Sequence, residues 1–246
     1  MRRRSSAVKW SDVLAGQIAV NTASTLSSPA LHALVAQECR DLRDQAIQQG
    51  AAPDTYVTRV DGYLDRPEEE VRLDQGLVTY IFSDLAQAAN WALAECQKRS
   101  PVKSGDFRKS WRILVDNKEW TDPAATIPMG SEVWIVNTMP YARKIEVGGM
   151  QIRTDPQIVE AVRQTVGRRF PRVLAARTFK ALSGGRDARG GPVPYVLKQS
   201  GVASGLSWTK KGGWSRKHKS YTSRRKDRQA GQQVLYPTLI LTERIS

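Results

Sequence analysis

Leu31, Leu34, Val35, Cys39, Leu42, Ala46 and Ile47 recur every three or four residues, which gathers them on one face of a helix. Ser28 stands ahead of them as an N-cap, Pro29 takes the first helical position and Gly50 follows the last apolar residue. A second stripe, Ile81, Leu85, Ala88, Ala89, Ala92, Leu93 and Cys96, predicts a helix from about Leu77 to Arg99, stopped by Ser100 and Pro101. Between them Tyr56 to Val60 alternates weakly, Asp61 and Gly62 make a turn, and Glu68, Glu69 and Glu70 carry no assignable period. From Phe107 the period is two, so Phe107, Lys109, Trp111, Ile113 and Val115 share one face of a half-buried strand. Val133 to Val136 is wholly apolar, as a central strand covered on both faces would be. Asp155 and Pro156 cap a third helix carrying Ile158, Val159, Val162 and Val166, and Val173 to Leu182 and Val234 to Leu241 read as strands. Pro237 assigns the last of these to an edge or a bulge.

Helices and antiparallel-compatible strands are segregated, which predicts an α+β fold: an antiparallel sheet packed against two or three amphipathic helices, with an extended terminal arm and a long basic loop. The expected organisation is an N-terminal arm over 1–27, an α+β core over 28–182, a basic Gly/Ser-rich excursion over 183–233, and a strand over 234–246 that returns to the core. The 246 residues are enough to bury a substantial core. Cys39 and Cys96 fall inside the helical stripes and read as reduced core residues. Met1 to Ser6 resembles the start of an export signal, but the polar residues between Ala7 and Ser28 interrupt any apolar run, so neither a cleaved signal nor a membrane span is expected.

Charge changes this picture in one place. The net charge is +14, and the stretch from Gly184 to Arg228 holds twelve Lys or Arg against Asp187 and Asp227, so +10 of it is concentrated there. An anionic partner is the first inference. Trp214 and Tyr221 are interleaved among Lys210, Lys211, Arg216, Lys217, Lys219, Arg224, Arg225, Lys226 and Arg228, a mixture able to hold phosphates or an acidic protein surface. Two indoles within seven residues, Trp208 and Trp214, favour a partner surface over a solvated charge run.

Two further segments carry a motif. Ser100 to Ser110 reads Ser-Pro-Val-Lys-Ser-Gly-Asp-Phe-Arg-Lys-Ser, in which Pro101 stops a helix and Ser104 with Gly105 makes a turn tolerant of positive φ. Asn137 to Gly149 then ends a buried strand in a Pro turn, followed by Tyr141, Ala142, Arg143, Ile145, Glu146 and a double glycine. Together they resemble the head–tail joining or tail-completion (neck, minor tail) proteins of tailed bacteriophages, whose pattern is SPV-x-[ST]-G-x-[LFY]-R-x-S followed by N-x-x-x-YA-x-x-[IV]-E-x-G. The resemblance covers about residues 80 to 180. Residues 1–76 and the basic excursion have no counterpart in the short members. It implies a non-enzymatic virion protein at the head–tail junction, assembled in the host cytoplasm. It also implies a ring of six or twelve copies between a portal or connector protein and a tail tube or tail terminator protein, with genomic DNA in the lumen. Pro101, Ser104 and Gly105 then define a turn, and Tyr141, Arg143 and Glu146 are either a core ring with a salt bridge or contacts to a neighbouring subunit.

Enzymatic readings have little material. His32 and His218 are the only histidines, no HExxH or CxxC occurs, and the glycines at 184, 185, 190 and 191 lack the Gly-Lys-Ser/Thr ending of a phosphate loop. No catalytic residue, metal or cofactor is expected. The alternatives are a basic DNA-binding packaging accessory, or a metal-dependent nuclease using Asp54, which follows Pro53, with Asp116 and Lys118 on one strand face.

Overall fold

The computed structural model describes residues 28–243 and divides the chain between Phe82 and Ser83. The expected arm over 1–27 lies outside the described residues. The expected core over 28–182 is instead split, because the first unit has a small core of its own.

In the first unit helix α1 (Ser28–Gln48) accompanies strands β1 (Tyr56–Val60), β2 (Tyr63–Leu64) and β3 (Val78–Phe82), ordered β2-β1-β3 and antiparallel. Asp61 (φ 50°) and Gly62 (φ 89°) close the β1–β2 hairpin, as its tight turn requires. Val35 and Cys39 of α1 meet Val60 and Val71 in the core. The acidic run is a 3₁₀ turn (Glu68–Glu70) tied to the helix by Arg40, 3.1 Å from Glu68, and to the sheet by the Tyr80 hydroxyl, which donates to Glu68 at 3.0 Å. Residues Val78 to Phe82, expected in the second helix, are a strand: β-branched and aromatic residues dominate there, and the Ser83 hydroxyl accepts the Leu85 amide where the helix begins.

The second unit carries α2 (Leu85–Lys98), the one-turn α3 (Asp106–Lys109), β4 (Trp111–Val115), β5 (Lys118–Glu119), β6 (Val133–Asn137), α4 (Ala142–Glu146), α5 (Ile158–Arg169) and β7 (Val173–Lys180). The short strands β8 (Val202–Ala203), β9 (Leu206–Thr209), β10 (Gly213–Arg216) and β11 (Tyr221–Thr222) follow, then β12 (Tyr236–Glu243). The main sheet runs β5-β4-β6-β12-β7, antiparallel throughout. Its first face packs Trp111, Ile113, Val133, Ile135, Leu239 and Leu241 against α2 and α5; its second gathers Leu114, Trp134, Val136 and Tyr236 under Leu182 and Val193. Strand β6 is therefore buried on both faces, as its unbroken apolar run predicts. The fold is α+β, an antiparallel sheet against a few helices.

Three local expectations need correction. The strand starts at Trp111, not Phe107, because Gly105 (φ 85°) turns the chain into α3 first. The residue preceding α5 is Gln157 in a left-handed conformation, with no side-chain cap of its own, rather than Asp155 and Pro156. Pro237 is neither at an edge nor at a bulge: β12 is internal, and its pairing with β6 begins at Thr238, one residue past the proline. No helix among the described residues is long and apolar enough to cross a membrane.

A Cβ at Gly105 would meet nothing within 4 Å, so the left-handed φ of 85°, not crowding of that atom, sets the cost of a side chain there. Gly105→Val should lower stability by about 1 to 3 kcal/mol, measured by denaturant unfolding. A variant as stable as the parent would show that the turn relaxes to negative φ.

Candidate functional site

The two motif segments meet at one corner of the sheet. Asn137, fully buried, donates from Nδ2 to the Phe107 carbonyl at 2.7 Å and accepts the Met139 amide at 3.1 Å, while the Thr138 amide donates to the Ser110 carbonyl at 3.0 Å. The Tyr141 ring stacks on Phe107 with centroids 5.9 Å apart. Ser100 closes α2 by donating to the Cys96 carbonyl and accepting the Trp111 indole N–H at 2.8 Å, and Ser104 donates to Asp106. Pro101, Ser104 and Gly105 thus shape a turn. Tyr141 is half-buried, and that burial raises its phenol above the ordinary value.

Glu146 does not lie on a surface that a neighbour could touch. It is 2% exposed, and its carboxylate accepts the Val159 amide at 3.0 Å, the Glu160 amide at 3.2 Å and Arg177 Nη1 at 3.3 Å. It supplies from 13 residues away the cap that α5 lacks locally, so its role is structural. Arg143 lays its guanidinium 4.0 Å over the Phe179 ring and brings Nη1 to 3.8 Å from Asp227 Oδ1.

The basic excursion is more built than a solvated loop. Its first part supplies Val193 to the core beside Leu182, and its second forms two antiparallel pairs, β9 with β10 and β8 with β11. Trp208 and Trp214 sit directly opposite one another on the β9–β10 hairpin, both half-buried, and a Cβ at Gly148 would lie 3.3 Å from the Trp208 Cβ. That close approach and a φ of 70° both favour glycine at 148, and the contact gives Trp208 a local packing role. Lys210 and Lys211 are at the hairpin tip; with Arg216, Lys217, Lys219, Arg224 and Lys226 they are exposed. Arg225 and Arg228 are partly buried: Arg225 Nε stands 3.2 Å from Asp227 Oδ1, and Arg228 donates to the Ser223 carbonyl at 2.8 Å.

What sequence reading missed is the cleft these segments enclose, about 860 Å³, between α4, the stretch 195–207 and the stretch 217–225. Arg143, Lys144, Lys198, Lys217, His218 and Arg225 line it, and among its described lining residues there is no Asp or Glu. Asp227, 4% exposed and outside that lining, pairs with two of the lining residues, Arg143 and Arg225, and also accepts the Leu235 amide at 2.9 Å. The available signal was one carboxylate embedded in Arg224-Arg225-Lys226-Asp227-Arg228. Burial holds the Arg143 guanidinium below its ordinary value, Asp227 opposing and Arg225 adding to the effect.

The nuclease arrangement does not form as expected. Asp116 (φ 49°) and Asn117 (φ 65°) are the β4–β5 turn, with Asp116 Oδ1 accepting the Glu132 amide, so Asp116 and Lys118 do not share a strand face. Asp54 belongs to the other unit. Among the described residues no group of three His, Cys, Asp or Glu side chains is placed to hold a metal. Compared with protein-family models, with curated proteins and with solved structures, the chain matches none.

Proposed function

We propose that the protein is a non-enzymatic structural component of a tailed-phage virion that joins head to tail. It would form a ring between the portal-side connector and the tail tube or its terminator. The observation that carries this reading is the corner where the two motif segments interlock, Asn137 on Phe107 and Tyr141 stacked on the same residue. A pattern split across about thirty residues and yet joined by side-chain hydrogen bonds behaves as one structural signature, not as two coincidental turns. The excursion supports it, since a built, cationic, Trp-bearing projection suits contact with neighbours. A second reading, a DNA-binding packaging accessory, is favoured by the seven exposed cations between Lys210 and Lys226.

Electron microscopy tests the choice. Particles assembled without this chain should accumulate as filled heads and separate finished tails, and the purified protein should form closed rings. Empty, unpackaged heads would favour the packaging accessory instead. Normal particles in its absence would remove the joining role.

A further inference from the structure

We propose that the cleft between α4 and the stretch 195–207 is the docking site for an extended acidic segment of a different protein. The proposal rests on the joining role for the partner's place in the virion, and on the cleft alone for the partner's chemistry. Five Lys or Arg and one His line the cleft with no carboxylate among its described lining residues, so it presents one sign of charge inside a concave wall, where fields focus. Its floor is electrostatically incomplete. Arg143 and Arg225 share the single carboxylate of Asp227, and Arg143 Nη1, buried, has no hydrogen-bond partner among the described residues, Asp227 Oδ1 being 3.8 Å away. Asp227 Oδ1 is likewise buried without a hydrogen-bond partner among the described residues, so what the floor lacks is charge: two guanidiniums stand against one carboxylate, and an incoming carboxylate balances the second.

Three observations select a peptide as the occupant. Val147 and Val202, both more than half exposed, stand among the cations; a strip that tracks phosphates has no use for them, whereas an extended peptide places alternate side chains against apolar and charged positions. Strand β8 on the wall pairs only with β11, which leaves an edge to which a strand can add. A second copy of this chain is disfavoured because the copies carry +14 each, and a ring concentrates that charge, which an acidic partner neutralises.

Fluorescence anisotropy of the full chain tests this with a labelled peptide of about eight alternating Glu and Leu residues and an oligothymidylate of about the same length. The peptide should bind at least about tenfold more tightly than the oligonucleotide, and its Gln-for-Glu analogue should not bind. Lys198→Ala with Lys217→Ala, both exposed, should weaken the peptide by about tenfold or more. Lys210→Ala with Lys211→Ala removes the same charge outside the cleft and should leave affinity within about twofold. Equal losses in the two double variants, or tighter binding of the oligonucleotide, would overturn the proposal. Micrographs judge the joining role and anisotropy judges the cleft, so the two fail separately.

Discussion

Replacing Glu146 with Leu is expected to destabilise the second unit by on the order of 3 to 5 kcal/mol, through bonds made entirely within that unit. The carboxylate is 2% exposed and satisfies three donors, the Val159 and Glu160 amides and Arg177. Leucine fills the same space but leaves two helix N-terminal amides without an acceptor and Arg177 without its buried partner. Six of the seven tryptophans lie in this unit, so indole fluorescence during denaturant unfolding reports it. A loss below about 1 kcal/mol would show that water or a shifted Arg177 replaces the carboxylate.

The same site fixes a pH dependence. Burial, the largest influence, lifts the Glu146 carboxyl above its ordinary 4.5 against the pull of both amides and Arg177. A carboxyl raised in the folded state contributes stability that is complete below its unfolded value and lost as pH rises through the folded one. Glu160, whose amide Glu146 caps, behaves oppositely: Arg163 chiefly holds it down at about 2, so its contribution is present above 4.5 and lost as pH falls toward 2. Glu146→Gln should therefore flatten the decline above pH 4.5 and leave the acid limb intact.

What could be read from the chain is whatever a local pattern encodes. Strand β6 is a run of apolar residues buried on both faces, and Trp111, Ile113 and Val115 alternate into the core as their spacing says. Phe107 was misplaced because a spacing of four, Phe107 to Trp111, fits a strand face and a helix face alike. The same ambiguity, Ile81 to Leu85, merged β3 into α2. The cap of α5 was invisible because its acceptor is Glu146, on another element. Pro237 misled because a proline is compatible with an internal strand at a position where one neighbour's pairing has not begun. The cleft had no local signature, since Arg143, Lys198 and Arg225 are ordinary cations along the chain until folding brings them to one cleft, with Arg143 and Arg225 on Asp227.

Asp227 gives the last expected result. Its Oδ2 accepts the Leu235 amide and its Oδ1 faces Arg225 at 3.2 Å and Arg143 at 3.8 Å, so one buried charge ties the end of the excursion to α4 and to the start of β12. In Asp227→Asn the amide oxygen can still accept from Leu235, but two guanidiniums with side chains only 15% and 21% exposed lose their counter-charge and meet an NH₂ donor. Breaking a buried ion pair from one side costs about 3 to 5 kcal/mol, and here it falls on the stretch 217–234, not on the sheet. Where opening is fast relative to cleavage, proteolysis follows the open population, so about 3 kcal/mol corresponds to a rise of about a hundredfold. Trypsin should cut the parent readily at Lys210 and Lys211, on the exposed hairpin tip, and slowly at Arg225 and Arg228; in the variant the second pair should be cut about a hundredfold faster while the first is unchanged. Unaltered cleavage at Arg225 and Arg228 would mean that backbone bonds such as Gly201 to Arg228 hold the segment without the charge. The cleft would then keep its shape when the carboxylate behind Arg143 and Arg225 is neutralised, and the acidic peptide should bind the variant more tightly than the parent, because the two guanidiniums would face it uncompensated.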